Sequence, residues 1–249
     1  MTAIAENIEA VRARIAEACG RSSRDPADVV LCPASKTRTP EEVREAIAAG
    51  VGAFGENYVQ EFLEKYEVMG DECSWHMIGH LQRNKVRRIV GKVSLIQSVD
   101  SIDLARAIEK EAERAGISVD VLLEVNVAGE ESKWGFAPNE TLEAARTIGS
   151  MPHVNVKGLM TSAPYTEDPE SNRVHFRNLK RLFDEIGSAG LDGVSAEILS
   201  MGMSGDYEVA VEEGSTMVRI GTAIFGERHY PEKENPERHR TLQLITNRK

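Results

Sequence analysis

Apolar residues recur at two spacings along this chain, and the two alternate. Over 4–19, Ile4, Ile8, Val11, Ile15 and Ala18 share one face of a helix, with charges opposite. After the turn signal Asp25-Pro26, the run 29–35 (Val29-Val30-Leu31-Cys32-Pro33-Ala34-Ser35) reads as a strand. Helix 40–49 follows, with Thr39 as its cap, Pro40 at the first position, Glu41 and Glu42 in the first turn and Gly50 as its stop. The same alternation predicts strands at 53–55, 75–78, 95–99, 119–127, 154–160, 196–200 and 217–220. Helices are predicted at 57–68, 82–90, 101–115, 139–149, 169–189, 205–213 and 223–225.

Strands separated by helices predict a parallel sheet, because each crossover must return the chain to the same edge. Repeated evenly along a chain of 249 residues, the pattern predicts an α/β protein with a single (β/α)8 TIM barrel. An open doubly wound sheet is the alternative; the even spacing and the lack of a mid-chain linker favour the barrel. The barrel domain is expected to occupy 1–230, and 231–249 to form a polar tail or peripheral helix. Barrel chemistry gathers at the C-terminal ends of the strands, which tells us where to look.

Composition narrows the function. Thirty Lys and Arg against 40 Asp and Glu give a net charge of −10, which offers no general attraction for nucleic acid or an anionic membrane. No window approaches the roughly 18 consecutive apolar residues of a membrane helix, and the first residues lack the pattern of a secretory signal. Cys19, Cys32 and Cys73 are odd in number and widely spaced, which disfavours a disulfide framework or a cysteine zinc site and predicts a cytoplasmic protein.

Lys36 is the lysine that terminates a mostly apolar strand. An amine desolvated in a barrel mouth loses proton affinity and becomes able to form a Schiff base; a solvated loop lysine or a phosphate-binding point charge is the plainer reading. Strand seven ends Ser200-Met201-Gly202-Met203-Ser204-Gly205 and strand eight ends Arg219-Ile220-Gly221-Thr222 before a short helix. Together they suggest a phosphate cradle, with Ser200 and Thr222 as hydroxyl donors and the Gly221 and Thr222 N–H groups facing the anion. Arg219 lies beside this cradle, to contact phosphate or a ring nitrogen, or to pair with Glu197. Asn57 and His80 could each touch a ring substituent. Lys157 sits early in its strand and reads as structural.

Other patterns are discounted. Gly50 to Gly55 spells G-x-G-x-x-G but follows a helix and enters a strand, the reverse of a dinucleotide fingerprint. His76 and His80 are four apart without H-E-x-x-H, so no metal site is predicted. Lys85, Arg87 and Arg88 read as a solvated basic face.

Six blocks in order now identify a resemblance: Ala34-Ser35-Lys36-Thr37, Phe54-Gly55-Glu56-Asn57-Tyr58-Val59-Gln60-Glu61, Trp75-His76-Met77-Ile78-Gly79-His80-Leu81-Gln82, Lys157-Gly158-Leu159-Met160, Leu199-Ser200-Met201-Gly202-Met203-Ser204 and Val218-Arg219-Ile220-Gly221-Thr222-Ala223-Ile224-Phe225-Gly226. From about residue 5 to 230 the chain resembles the YggS/PROSC family of pyridoxal 5′-phosphate (PLP) homeostasis proteins. The resemblance implies the single barrel of the alanine racemase-like, fold type III PLP proteins. It implies PLP on Lys36 as an internal aldimine, its phosphate on Ser200, Gly221 and Thr222, and Arg219 at the pyridine nitrogen. Asn57 would lie near the ring, with His80 and Met201 as further contacts.

The family is generally regarded as lacking a robust enzymatic activity and as supplying or buffering PLP. An arginine at the ring nitrogen agrees with this, because it holds its proton and leaves the ring a weaker electron sink. Racemases of this barrel class also carry a second, β domain, and only 23 residues follow Gly226 here. The expectation is therefore a non-catalytic, cytoplasmic, monomeric PLP-binding protein whose partners are PLP and PLP-dependent apo-enzymes. An amino-acid racemase or decarboxylase using the same amine is the alternative, and a phosphosugar barrel enzyme without PLP a third reading.

Overall fold

The computed structural model describes residues 2–130 and 133–227. The tail read at 231–249, and the last residues of the unit read at 1–230, lie outside the described residues. The eight strands are β1 (Val30–Pro33), β2 (Ala53–Glu56), β3 (Ser74–Met77), β4 (Leu95–Val99), β5 (Val119–Glu124), β6 (Val154–Met160), β7 (Val194–Ser200) and β8 (Met217–Ile220). All pair in parallel, in the order β1-β8-β7-β6-β5-β4-β3-β2. The open ends meet where Ala34 bridges Gly55 and the Ser35 N–H donates to the Gly55 carbonyl at 3.0 Å. The result is the expected TIM barrel.

The helices are α1 (Ala3–Arg21), α2 (Pro40–Ala48), α3 (Val59–Met69), α4 (Val86–Ile89), α5 (Ile102–Ala115), α6 (Thr141–Gly149), α7 (Arg173–Ser188), α8 (Tyr207–Glu212) and α9 (Thr222–Phe225). Local sequence explains their bounds. Thr39 and Glu42 form a reciprocal capping box on α2, with Pro40 in its first turn. Ser101 caps α5, and Gly116 ends it in a left-handed conformation. The helix expected at 82–90 is shorter. Arg83–Lys85 is a 3-10 turn with no buried residue and no side-chain cap, and only Val86 and Ile89 anchor α4.

Two strand ends also differ from expectation. Beyond Glu124 the chain pairs with its own following loop: Phe136 N–H donates to the Glu124 carbonyl at 2.8 Å, and Asn126 N–H to the Phe136 carbonyl at 3.0 Å. That return ends β5 three residues before the expected 127. In β1, regular pairing stops at Pro33, and Ala34 and Ser35 instead make the closure.

Two cores result. A large one lies between strands and helices and includes Phe54, Phe62, Trp75, Ile96, Leu123 and Val218. A small one, Cys32, Leu95, Leu122, Met160 and Met217 with half-buried Ile198, packs within the barrel. The two sets alternate along the strands, as a period of two requires.

Gly158 sits in β6 at register shifts against both β5 and β7, with φ +147°. A Cβ there would overlap the Ile198 backbone. We expect Gly158→Ala to destabilise the protein by about 3 kcal/mol or more, combining a left-handed backbone with backbone overlap. Urea unfolding monitored by circular dichroism measures the loss, with Gly190→Ala as the comparison, because that loop glycine meets no neighbour.

Candidate functional site

The period of two carries through the closure. Cys32 belongs to the inner core, Ala34 and Lys36 line a cavity at the mouth, and Ser35 between them turns to the outer layer. There Ser35 Oγ donates to Glu56 Oε1 at 2.6 Å. Lys65 Nζ, on α3, reaches the same oxygen at 2.6 Å and the Ser35 carbonyl at 2.6 Å. Lys65 and Glu56 are both buried. Desolvation pushes the Glu56 carboxyl up, against the pull of Lys65. The Ser35 carbonyl also accepts from Arg38 N–H at 3.0 Å, which closes a tight turn over Lys36 and Thr37. Thr37 takes φ +65° in that turn, and its N–H donates to Glu61 at 2.9 Å. A strained turn braced by a buried ion pair thus presents Lys36.

The cavity has a volume of about 550 Å³. Lys36, Arg38, Lys133, Ser204, Arg219, Gly221 and Thr222 are on its wall. Among the described residues, four cations face it against one carboxylate, Asp206, which is held by Met203 N–H at 2.7 Å and Asn172 Nδ2 at 2.8 Å. A chain of charge −10 thus gathers cations, among its described residues, around this cavity.

Of the residues singled out in the sequence, Lys36, Arg219, Gly221 and Thr222 meet on this cavity. The others lie elsewhere. Ser200 is fully buried, its hydroxyl donating to Gln97 Oε1 at 2.7 Å and accepting from Arg219 Nη1 at 2.7 Å. Met201 packs in the outer core. Asn57 is packed against Gly79, with a buried Oδ1 that has no hydrogen-bond partner. His80 lies toward a neighbouring cavity, its Nδ1 2.8 Å from Asp100 Oδ2 and its ring stacked 3.9 Å from Trp134.

Arg219 does not pair with Glu197; that carboxylate takes Lys157 at 3.3 Å. Instead Arg219 is buried, its Nη2 donating to the Thr161 carbonyl at 2.7 Å, and desolvation lowers its proton affinity. Glu124, at the end of β5, is mostly buried; desolvation pushes its carboxyl up to about 7, against the pull of Arg219.

Sequence reasoning missed Ser204, whose Oγ accepts from Ala223 N–H at 3.3 Å and which lines the cavity where Ser200 does not. Both serines stand in the block at the end of β7; strand parity sends Ser200 into the barrel, and only the loop beyond reaches the mouth. It also missed the Glu56–Lys65 pair. A signal was present: Lys65 shares the buried face of α3 with Phe62 and Met69.

The glycines also separate. Gly202 has φ +95°, and a Cβ would lie 2.6 Å from Ala210 Cβ, so packing against α8 requires it. At Gly221 a Cβ would meet only ordinary contacts at 3.5 Å or beyond, so the protein's own packing does not require a glycine there.

The family model of the alanine racemase N-terminal domain matches residues 1–229 and, with the barrel fold, places the chain in the class of alanine racemase-like barrels. A pyridoxal phosphate homeostasis protein of Aquifex aeolicus is 49% identical over 226 residues, which is 90% of this chain and 98% of the relative. One of Homo sapiens is 37% identical over 244 residues, 93% of this chain and 89% of the relative. PipY of Synechococcus elongatus, solved with PLP bound, superposes with a TM-score of 0.77 at 32% identity, covering 90% of this chain and 100% of PipY. The chain belongs to the family of pyridoxal phosphate homeostasis proteins.

Two measurements test the electrostatics. Lys65→Met leaves Glu56 as an uncompensated buried charge and should cost about 3–5 kcal/mol, while the double variant Glu56→Gln/Lys65→Met recovers part of it in chemical denaturation. Glu124 binds its proton more tightly folded than unfolded, so its contribution is full below about pH 4.5 and is lost as pH rises to about 7. Glu124→Gln should therefore match the parent at pH 4 and exceed its unfolding free energy at pH 8 by up to about 3 kcal/mol.

Proposed function

We propose that this protein binds PLP reversibly through Lys36 and acts in supplying or buffering the cofactor, without turning over amino acids. The observation that carries the reading is the convergence of Lys36, Arg219, Ser204, Gly221 and Thr222 on one cavity in a member of this family. The fit to PLP is chemical. Lys36 supplies an amine for the aldehyde, and the N–H groups opening α9, with the Ser204 and Thr222 hydroxyls, supply donors for the phosphate. Arg219 supplies a cation for the ring nitrogen. Condensation of the Lys36 amine with the aldehyde forms a carbon–nitrogen double bond and releases one water, with no oxidant or reductant. PLP on an amine is an electron sink for amino-acid chemistry, and a guanidinium facing its ring nitrogen weakens that sink, because it does not readily give up its proton.

PipY, a solved neighbour, carries PLP in the same fold. Ser200 enters this reading through Arg219, from whose Nη1 it accepts; Asn57, His80 and Met201 are the ring-side contacts that the family resemblance implies. The reading extends to a cytoplasmic monomer that hands PLP to PLP-dependent apo-enzymes. Among the described residues no helix is long and apolar enough to cross a membrane.

Purified protein incubated with PLP should turn yellow, and borohydride should fix the cofactor on Lys36, as read by peptide mass spectrometry. Lys36→Ala should lose the imine absorbance. An unchanged imine band in Lys36→Ala would refute the assignment. Amino acids added in deuterium oxide should show no α-hydrogen exchange at a catalytic rate; rapid exchange would instead establish the racemase or decarboxylase reading.

A further inference from the structure

A chain of hydrogen bonds descends through the barrel from Arg219, and its direction can be worked out from both ends. A guanidinium only donates, so Arg219 Nη1 donates to Ser200 Oγ at 2.7 Å. Ser200 then donates its own proton to Gln97 Oε1 at 2.7 Å. This orients the amide and turns Gln97 Nε2 toward His76 Nδ1 at 3.0 Å, so Nδ1 accepts. The ring proton must therefore sit on Nε2, which lies 3.3 Å from Ser74 Oγ.

The far end gives the same answer independently. The Trp75 carbonyl only accepts, and it takes the proton of Ser94 Oγ at 3.0 Å. Ser74, 2.6 Å from Ser94 Oγ, must then donate to it and accept from His76 Nε2. Both derivations meet at one tautomer, with every bond running from the mouth toward the base.

The surroundings of His76 agree. Cys32 Sγ lies 3.8 Å from Nδ1, and burial pushes that thiol up to about 12, so it keeps its proton. Gln97 Nε2 has a second acceptor in Met217 Sδ at 3.2 Å. Buried, His76 is pushed down to about 4 and stays neutral. A charged ring would place a donor at Nδ1 against the Gln97 N–H and break the chain.

We propose that His76, neutral and protonated on Nε2, is a positioning residue for Arg219. It acts through Gln97 and Ser200 to hold the guanidinium on the cavity wall, where the ring nitrogen of PLP is received. The inference rests on the proposed reading of Arg219. It adds that the group setting the guanidinium's orientation stands on β3, two side chains away from it.

The first test is made on PLP-free wild-type protein labelled with 15N-histidine. Long-range proton–nitrogen correlation should show His76 as the neutral Nε2–H tautomer, and PLP should shift its Nδ1 resonance through the polarised chain. A ring protonated on Nδ1, or charged at neutral pH, overturns the proposal. The second test compares variants. His76→Phe removes the acceptor and should weaken PLP binding about tenfold and move the imine band. His76→Asn, whose Oδ1 can accept from Gln97, should restore near-wild-type affinity and band position. A purely structural role would lower the melting temperature in both variants and leave the band in place, which overturns the inference alone. Absence of an imine in the wild type would instead overturn the cofactor reading on which it rests.

Discussion

The closure of the barrel between β1 and β2 is the constraint on which the site depends. A parallel sheet leaves two unpaired edges, and here they meet at a single bridge, Ala34 to Gly55, extended by the Ser35 N–H. Because side chains alternate along extended backbone, that register decides which residue faces the mouth. Cys32, Ala34 and Lys36 fall on the inner side; Ser35 falls on the outer side, where it binds Glu56. A one-residue slip would exchange the two sets. Lys36 would enter the layer occupied by Lys65, and a serine would face the mouth. The buried Glu56–Lys65 pair opposes such a slip, because each partner also binds Ser35, Glu56 Oε1 its hydroxyl and Lys65 Nζ its carbonyl. This is the use of a buried ion pair with the firmest physical basis: it specifies register at some cost in desolvation.

The barrel interior carries the second constraint. Its lower part is apolar, built from Cys32, Leu95, Leu122, Met160 and Met217. Beside and above that lie His76, Gln97, Ser200 and Arg219, all buried and hydrogen-bonded to one another. A polar network in low dielectric stabilises only if every member is satisfied. Here the donors and acceptors match one for one because the chain starts at a group that can only donate and ends at one that can only accept. Ser200 cannot turn toward a ligand in the mouth without releasing Gln97 or Arg219. Its link to the cavity therefore runs through the arginine.

Much of this was legible in the sequence. The alternation of helical and strand periods gave the barrel, and the Thr39 and Pro40 signals set the start of α2 close to that found. Lys36, Arg219, Gly221 and Thr222 were legible because strand ends in a barrel share one face. The distinction between Ser200 and Ser204 was not, since it depends on the residue at which β7 ends and the loop begins. The His76–Gln97–Ser200 chain was out of reach for a different reason. Its members lie on β3, β4 and β7, and only the closed sheet brings them together. Asn57 and His80 were placed correctly at strand ends, but a strand end spans a wide rim, and position along the rim is set by side-chain packing such as the Trp134 stack on His80.

Arg219 joins these threads. Its hydrogen bonds go to neutral acceptors, the Ser200 hydroxyl and the Thr161 carbonyl, and its charged neighbour Glu124 is itself pushed up to about 7 by desolvation. A buried guanidinium so placed keeps a positive potential at the cavity that Asp206, on the same wall, offsets only through space. Lys133 and Arg38 contribute less, because each has its own carboxylate, Glu130 at 3.2 Å and Glu42 at 3.3 Å. Arg219 therefore stands apart from Lys133 and Arg38 as a buried cation hydrogen-bonded to neutral acceptors. Desolvation makes that charge costly, and on the proposed reading a ligand bringing compensating electron density would relieve part of that cost. On the proposed reading, the cation that would receive the ring nitrogen would also keep the ring a poor electron sink, so one residue would favour retention over turnover by the same electrostatics.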